Sequence, residues 1–540
     1  MPALRDTIVH RLREIGVRAL FGMPGGGANL DLIDAAGRAD LPFVLTATET
    51  GGALAAIAQA EVTQQPGACL TTLGPGAASV ANGVACAFLD RAPLLVFTDS
   101  HASSSHRAFE HQQFDHQAFF RPITKWSGRL TPGCASTTIE AALAAVLDVP
   151  PGPVHVDCPE DFESAAPPPG SSAQYQPRLD APRPTPSAQR PTPSAQRPTP
   201  SAESILSSSR RPLVIVGLGA RRSEDAVAIR GLIERRGIPA MVTYKAKGVV
   251  PDDHPCFAGV FTNARVEQSF VASSDLILGI GLDPVELLPR PWPYSQPAVY
   301  VGRWDVADTQ VPFAAQYVKD VPAAVAEIDA SLANCAWVGS EAGPSTRSAR
   351  SGQKLLTPEA VVQIAAGRLA RSARVTVDAG AHMFPATMLW PVYEPNQMLI
   401  SNGLSTMGFA LPAAIGAALT DRDRPVVALT GDGGLLICAA ELLTAVREKL
   451  RIIVIVFSDA SLSLIEIKQQ RRRYQPAGVA LGSVKWPALA ESLGAAGFVA
   501  TNEAELEAAL DQAIGVNGPS LVEARIDPSD YGSMLEAIRG

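Results

Sequence analysis

The segment at 425–470 constrains the fold of this chain more than any other. An apolar run at 426–429 stops at Thr-Gly-Asp-Gly-Gly, residues 430–434. A helix-forming stretch, predicted over 435–449, leads to a second apolar run at 452–457. A β-branched run that stops at glycines and opens a helix predicts a βα unit of a parallel sheet. Because glycines admit a phosphate closely and a helix start offers free N–H groups, this turn suits an anion.

Two carboxylates follow the two predicted strands. Asp432 and Asp459 lie 27 positions apart, each just past the end of an apolar run. The carboxyl ends of parallel strands share one edge of the sheet, where open α/β sheets bind ligands. Two oxygen donors beside a phosphate cradle are typical of a Mg²⁺ site. The pattern therefore predicts a cation and phosphate site, with a tight turn in an ordinary buried βα unit as the alternative.

Length and composition restrict the remaining possibilities. The 540 residues predict about three domains, and 46% hydrophobic residues suffice for large cores. The net charge is −8 and no basic run exceeds the three arginines at 471–473, which argues against nucleic acid and anionic membranes as partners. No apolar stretch is long enough to span a bilayer, and residues 1–6 do not resemble a signal peptide. The seven cysteines form no CxxC pair, so we expect reduced thiols and a cytoplasmic protein.

The order of strand-like and helix-like stretches predicts an α/β protein of three doubly wound parallel-sheet domains. We expect them at 1–165, 204–335 and 356–540. A Pro-rich linker at 166–203 carries three seven-residue copies that begin Arg-Pro-Thr-Pro-Ser-Ala, and a second linker covers 336–355. In the middle domain, Gly217 and Gly219 follow a strand as half of a dinucleotide fingerprint, but the acidic ribose partner is absent.

Several motifs together resemble the thiamine-diphosphate (ThDP) enzymes of the acetolactate synthase and 2-oxo acid decarboxylase group, which includes benzoylformate decarboxylase. They are the Gly-Asp-Gly element with its partner 27 positions later, the sixteen residues at 401–416, and an N-terminal order of glycine turn, Glu49, Gly-Pro-Gly and Arg-Pro-Ile-Thr-Lys. The resemblance implies a pyrimidine-binding domain, a central Rossmann-like domain and a diphosphate-binding domain. Asp459 stands where that family usually has Asn.

The resemblance also assigns roles to residues. Glu49 would relay a proton through the aminopyrimidine ring, with a pKa raised by burial. His111, Gln112 and Gln113 would face the reacting carbon, with His116 as a further proton donor or substrate clamp. The implied cofactor contacts are Pro24, Gly25, Glu49, Gly380, His382, Ser405, Met407, Gly431, Asp432, Gly433, Gly434, Asp459, Ser461 and Leu462. The implied metal ligands are Asp432, Asp459 and Ser461, and the implied substrate contacts are Leu464, Ile465 and Lys468.

The function implied is decarboxylation of a 2-oxo acid, followed by release of an aldehyde or by ligation of the enamine to a second carbonyl compound. The expected cofactors are ThDP and Mg²⁺. FAD is not expected, because 281–286 lacks the arginine-bearing element of acetolactate synthases. The family places its active site between two chains, so we expect a homodimer or homotetramer. The alternatives are a lyase or hydrolase of 2-hydroxy ketones or diketones, and a non-catalytic relative that binds a nucleotide.

Overall fold

The computed structural model describes residues 3–102, 110–164, 201–306, 309–337 and 355–539. The Pro-rich repeat and most of the second predicted linker lie outside these ranges. The chain divides into two compact units. The first comprises 1–179, 354–386 and 399–528, and the second comprises 180–353, 387–398 and 529–540. The first unit contains two of the three parallel sheets, and the second contains the other one.

The N-terminal sheet of the first unit has six strands in the order β2-β1-β3-β4-β6-β5. The strands are β1 Leu20–Gly22, β2 Phe43–Leu45, β3 Gly67–Thr71, β4 Leu94–Ser100, β5 Trp126–Arg129 and β6 Pro153–Pro159. The helices are α1 Leu4–Glu14, α2 Ala28–Arg38, α3 Glu49–Thr63, α4 Pro75–Ser79, α5 Ala81–Leu89, α6 His116–Phe120 and α7 Ala135–Leu147. Strands β3, β4 and β6 are buried along their whole length, as expected of a sheet covered on both faces.

The second unit holds the middle sheet, in the order β12-β11-β10-β7-β8-β9. The strands are β7 Pro212–Val216, β8 Ala240–Val242, β9 Phe257–Val260, β10 Leu276–Ile280, β11 Ala298–Gly302 and β12 Phe313–Val318. Its helices are α8 Ala202–Ser208, α9 Ser223–Arg236, α10 Gln268–Ala272 and α11 Val321–Ser331. Numbered 1 to 6 in chain order and listed from the β9 edge, these strands have the order 3-2-1-4-5-6, which is that of the dinucleotide-binding fold.

The C-terminal sheet repeats the strand order of the N-terminal one, β14-β13-β15-β16-β18-β17. The strands are β13 Arg374–Val377, β14 Met398–Ile400, β15 Val426–Gly431, β16 Ile452–Ser458, β17 Ala496–Ala500 and β18 Ser520–Arg525. The helices of this part of the chain are α12 Pro358–Leu369, α13 Met383–Leu389, α14 Ala410–Thr420, α15 Asp432–Cys438, α16 Glu441–Arg447, α17 Ser463–Arg471, α18 Trp486–Ser492, α19 Glu503–Ile514 and α20 Tyr531–Arg539. The end of α13 and the whole of α20 belong to the second compact unit. The predicted α/β class with three parallel sheets is confirmed.

One predicted helix differs from the structure. The stretch at 435–449 forms two short helices, α15 and α16, and the first begins at Asp432 rather than at Leu435. Asp432, Gly433 and Gly434 therefore make the first helical turn itself. Helix propensity does not predict this earlier start, because Gly433 and Gly434 are poor helix formers.

Helices α3 and α14 pack against each other in the interior of the first unit. Both consist largely of alanine and glycine, and a side chain at Gly416 would collide with the Ala55 carbonyl of the facing helix. Such small residues let the two helices approach closely. The contact fixes the start of α3, which carries Glu49, and the start of α14, which follows Met407 in the chain. No helix in the described ranges is long and apolar enough to cross a membrane.

Candidate functional site

The strand order of the C-terminal sheet defines its ligand-binding edge. From β13 the chain crosses to β14 on one side, whereas β15 lies on the other side. The loops after β13 and β15 therefore leave the sheet at a topological switch point, where open parallel sheets form a crevice. Gly380 and His382 follow β13, and the Gly-Asp-Gly turn follows β15. The structure thus brings these sequence-predicted residues to one edge.

Asp432 and Asp459 meet at this edge, as their positions after adjacent strands predicted. Asp432 Oδ2 accepts hydrogen bonds from the backbone N–H groups of Asp459 at 3.2 Å and Ala460 at 2.6 Å. Its Oδ1 accepts from Gly433 N at 2.8 Å. Asp459 Oδ1 accepts from Ser461 N at 3.1 Å, and its Oδ2 accepts from the Ser463 hydroxyl. These hydrogen bonds orient both carboxylates and tie Asp432 to the backbone of the loop that carries Asp459.

Burial and the neighbouring charge of Asp459 together raise the pKa of Asp432 to about 6. The pKa of Asp459 is also raised, first by burial. Two neighbouring carboxylates repel each other when both are ionised, and a divalent cation would relieve that repulsion. The pair is therefore suited to hold a metal ion.

His382 forms the wall of the crevice on the β13 side. Its ring stacks on Phe457 with centroids 5.3 Å apart, and burial lowers its pKa to about 3. The buried Nε2 has no hydrogen-bond partner within the described structure. A side chain at Gly431 would lie only 3.1 Å from the His382 ring. A buried polar atom of this kind calls for a ligand, because leaving it unpaired costs free energy.

The other two glycines of the turn are sterically required. A Cβ at Gly433 would lie 2.6 Å from Leu462 Cδ2, and one at Gly434 would lie 2.6 Å from Asp378 Oδ2. Leu462 belongs to the loop after β16, and its backbone N–H donates to the Val479 carbonyl at 2.8 Å. The predicted cofactor contacts Gly433 and Leu462 therefore touch each other. Only glycine lets the backbone come this close to both neighbours.

Asp378 is a residue of this site that sequence reasoning missed. It is fully buried at the end of β13 and accepts from the Thr430 hydroxyl at 2.9 Å. It also accepts from the backbone N–H groups of Ala379, Gly408 and Phe409. Asp378 therefore ties the loops after β13 and β15 to the segment that carries Met407. A signal was available, because an aspartate follows the apolar run Val-Thr-Val.

The segment at 401–409 has a second anchor that was not predicted. Asp90, at the end of α5, accepts from the backbone N–H groups of Asn402 at 3.2 Å and Gly403 at 2.7 Å. Ser405 adopts φ +53° at the tip. The Met407 side chain is 37% exposed, and its methyl carbon Cε lies 3.4 Å from the position that a Cβ on Gly433 would take. Met407 is therefore an apolar side chain held out over the glycine turn.

Glu49 lies at the start of α3, capped by the Thr48 hydroxyl, which accepts from Gly51 N at 2.9 Å. A third unpredicted carboxylate, Glu441, accepts from the backbone N–H groups of Ala47 and Thr48, both at 3.0 Å. Glu49 itself is half-buried. No hydrogen bond among the described residues joins it to Asp432 or its neighbours. The predicted role of Glu49 therefore stays a prediction.

Gln112, Gln113 and His116 line a cavity of about 930 Å³ in the N-terminal domain. Gln112 adopts φ +55° and, like His111, is exposed. The His111 carbonyl is within 2.9 Å of His101 Nε2. The structure therefore places the predicted substrate-facing stretch beside a cavity, next to the end of β4.

The predicted contacts Pro24 and Gly25 follow β1 at the same edge of the N-terminal sheet. Pro24 is exposed and Gly25 is buried. A side chain at Gly25 would collide with Asp99 Oδ2. Asp99 accepts from Asn29 N at 2.7 Å at the start of α2, and burial raises the pKa of Asp99 to about 7.

Helix α17 carries the predicted substrate contacts. Lys468 and Ile465 are exposed and Leu464 is half-buried. The hydroxyl of Ser461, a predicted metal contact, donates to Glu466 Oε2 at 2.6 Å. The exposure of Lys468 is compatible with a substrate contact as well as with a lysine that extends into solvent.

The site fits ThDP with a divalent cation. Asp432 and Asp459 would supply carboxylate oxygens for the cation, and the glycine turn and the unpaired His382 Nε2 would be available to a diphosphate. Residues 378–524 match the family described as "Thiamine pyrophosphate enzyme, C-terminal TPP binding domain". Residues 3–119 match its N-terminal TPP binding domain and residues 201–311 its central domain.

This chain belongs to the thiamine pyrophosphate enzyme family.

Its relatives are acetolactate synthases and 2-oxo acid decarboxylases. The chain is 27% identical to the acetolactate synthase of Bacillus subtilis (strain 168), over 97% of this chain and 93% of that protein. It is 28% identical to the "Probable 2-ketoarginine decarboxylase AruI" of Pseudomonas aeruginosa, over 96% of this chain and 93% of that protein. The structure of a Rhodococcus jostii 4-hydroxybenzoylformate decarboxylase superposes with a TM-score of 0.80 at 20% identity, covering 97% of this chain and 99% of that one. That last likeness shows a shared fold.

Proposed function

We propose that this protein uses ThDP and Mg²⁺ to decarboxylate a 2-oxo acid, releasing an aldehyde or joining the remaining fragment to a second carbonyl compound. The observation that carries the proposal is the switch-point edge of the C-terminal sheet. There, two neighbouring carboxylates with raised pKa values lie at a glycine turn beside His382, whose buried Nε2 has no hydrogen-bond partner among the described residues. Cation ligands and an anion contact so close together match a metal-bound diphosphate.

Each residue of this edge has a defined task. Asp432 is oriented by three backbone N–H groups, so a lone pair remains for the cation without a change of rotamer. Asp459 adds a second anionic oxygen in place of the amide usual in the family. His382 would donate a hydrogen bond from Nε2 to a diphosphate oxygen, which would favour the protonated ring over the neutral form that burial now favours.

ThDP, when bound, supplies a thiazolium ring that accepts the electron pair left by the departing CO₂. Met407 projects over the glycine turn and would hold the cofactor bent, so that its amino group comes close to the reacting carbon. Glu49 would exchange a proton with the aminopyrimidine ring. Gln112 and Gln113, with His111 nearby, would orient the 2-oxo acid at the cavity mouth.

We infer that the active site is completed by a second copy of the chain. Apolar side chains lie exposed around the glycine turn, among them Met407, Leu436 at 44% and Ile437 at 60% exposure. A second copy would cover them and bring its own Glu49 to the cofactor. This arrangement supports a homodimer or homotetramer, and a patch of this kind on a lone chain would favour association.

The middle domain supports a colourless enzyme without flavin. Glu286 is buried, and its Oε2 accepts from Leu218 N at 2.8 Å while Oε1 accepts from the Thr243 hydroxyl at 2.6 Å. The carboxyl thus occupies the glycine turn at 217–219, where a dinucleotide fold would receive a phosphate. Burial raises the pKa of Glu286 to about 8. A yellow protein that releases stoichiometric FAD on denaturation would contradict this proposal.

The decisive experiment is a screen of 2-oxo acids with purified protein, ThDP and Mg²⁺. Released CO₂ is measured together with the identity of the organic product. The proposal predicts cofactor-dependent CO₂ release that Asp432→Ala abolishes and that Asp423→Ala, an exposed control, leaves unchanged. Cleavage of a 2-hydroxy ketone or a diketone without CO₂ release would show a lyase or hydrolase instead.

A further inference from the structure

A second group of metal-ligating side chains lies in the N-terminal domain, apart from Asp432 and Asp459. His116, His155 and Asp157 are buried, and one ligand atom of each lies within 4.8 Å of the others. His155 and Asp157 are two positions apart on β6 and so point to the same face of the sheet. Thr98 of the neighbouring strand β4 is paired with Asp157. His116 reaches the group from the first turn of α6.

The Thr98 hydroxyl lies at the centre of this group. Its Oγ1 is 2.8 Å from His155 Nε2, 3.2 Å from Asp157 Oδ1 and 3.4 Å from His116 Nδ1. His116 Nδ1 is 3.1 Å from Asp157 Oδ1. When His155 carries its proton on Nδ1, the single Thr98 hydroxyl proton cannot serve both His155 Nε2 and Asp157 Oδ1. Several lone pairs therefore converge on a small buried volume.

These separations are close to those of a tetrahedral metal site. Zinc binds histidine nitrogen and carboxylate oxygen at about 2.0–2.2 Å, so the edges of its tetrahedron measure about 3.3–3.6 Å. The four measured separations run from 2.8 to 3.4 Å. Along these four of the six edges a cation would need the atoms to move apart by only a few tenths of an ångström, and the two edges from His155 to His116 and Asp157 are within 4.8 Å. Two imidazoles with one carboxylate select a transition metal over Mg²⁺.

The surrounding hydrogen bonds orient the ligands as in known metal sites. Ser127 Oγ is 2.8 Å from His155 Nδ1, so this ring can donate from Nδ1 and keep the Nε2 lone pair free. Arg129 donates to Asp157 Oδ2, which leaves Oδ1 for the centre of the group. Burial lowers the pKa of His155 to about 3, which keeps its ring neutral. Asp99 is electrostatically coupled to Asp157, and its ionisation would offset added positive charge.

We propose that His116, His155 and Asp157, with the Thr98 hydroxyl, bind a divalent transition metal of the Zn²⁺ class at the wall of the N-terminal cavity. His116 and Asp157 line that cavity of about 930 Å³, so an ion can reach the group through it. Binding would fix the first turn of α6 to strands β4 and β6. The site is separate from the Mg²⁺ site of the proposed function and does not depend on it.

The test is a titration of chelator-treated full-length protein with Co²⁺, which reports four-coordinate binding by its visible d–d absorption. Excess Mg²⁺ is present and ThDP is omitted, so that Asp432 and Asp459 do not take up Co²⁺. We expect one Co²⁺ per chain, displaced stoichiometrically by Zn²⁺. His116→Gln and His155→Gln should lose the absorption band, and Ser127→Ala should weaken binding by about 10–100-fold.

The controls separate this result from loss of fold and from failure of the proposed function. His10→Gln, a change of the exposed histidine on α1, should bind Co²⁺ as the wild type does. Circular dichroism of the metal-free variants checks their fold, and His116→Gln decides the question if His155→Gln does not fold. Absence of the band in wild type, or an identical band in His116→Gln, would overturn the proposal. Catalytic activity does not enter the measurement.

Discussion

Replacing Asp432 by Asn should stabilise the metal-free protein at high pH and fail to do so at low pH. Asp432 is 5% exposed, and burial with the charge of Asp459 raises its pKa from 3.8 to about 6. Because the folded pKa is raised, the contribution of Asp432 to stability is fully present below pH 3.8 and is lost as the pH rises through about 6. At 1.36 kcal/mol per pH unit, the ionised carboxylate costs the metal-free fold about 3 kcal/mol.

The amide removes this cost but loses hydrogen bonds. Asp432 accepts from Gly433 through one oxygen and from Asp459 and Ala460 through the other. Asn keeps an acceptor on one side only, at a cost of about 1 kcal/mol. The net gain at pH 8 is therefore about 2 kcal/mol. For the first compact unit, of about 340 residues, an unfolding entropy of about 2.1 cal/mol/K per residue converts this into about 3 °C.

The assay is thermal unfolding of chelator-treated wild type, Asp432→Asn and the exposed control Asp423→Asn at pH 4.5 and pH 8. We expect Asp432→Asn to melt about 3 °C above wild type at pH 8, and at or slightly below it at pH 4.5. With saturating Mg²⁺ and ThDP the order should reverse, because only wild type gains the free energy of ligand binding. Equal destabilisation of Asp432→Asn at both pH values would refute the electrostatic reasoning.

Four further predictions concern the proposed active site. Glu49→Gln should bind ThDP with a modest loss and lose about 10²–10⁴-fold in turnover; retention of more than a tenth of the wild-type rate would exclude the proton relay. Asp459→Asn should lower Mg²⁺ affinity and make ThDP binding less dependent on Mg²⁺, and superimposable Mg²⁺ titrations would place Asp459 away from the metal. Lys468→Trp should shift selectivity towards small monocarboxylic 2-oxo acids, measured as the ratio of kcat/KM values across the screen; an unchanged profile would leave Lys468 in solvent. Ile437→Asp should dissociate the assembly, as measured by light scattering, and should abolish activity as a consequence. An intact oligomer would show that this face is not the interface.

Much of the fold could be predicted because its information is local. Apolar runs bounded by glycines and followed by small-residue helices define βα units over about ten residues at a time. The position of Asp432 and Asp459 at one edge followed from the rule that parallel strands end together. The strand order and the break between α15 and α16 could not be obtained in this way. They depend on contacts between distant segments.

The unpredicted parts of the site share that dependence. Asp90 holds residues more than 300 positions away, and Glu441 holds the turn before Glu49 across a separation of 393 residues. Nothing local marks such an aspartate or glutamate as an anchor. The histidine and aspartate of β6 offered a better signal, because two polar residues alternate with valines in Val-His-Val-Asp. Their partner His116 lies 41 positions before Asp157, so only the fold joins them.

The number of donors that each carboxylate accepts distinguishes Asp378 and Glu441 from Asp432 and Asp459. An ionised carboxylate has about four acceptor positions. Asp378 fills them with three backbone N–H groups and a hydroxyl, and Glu441 does so with two N–H groups and two hydroxyls. Neither retains a lone pair for a cation. Asp432 accepts three donors and Asp459 two, so both keep acceptor positions at the edge of the proposed cation site. Asp378 and Glu441 therefore belong to the frame, whereas Asp432 and Asp459 have acceptor positions left for the proposed cation.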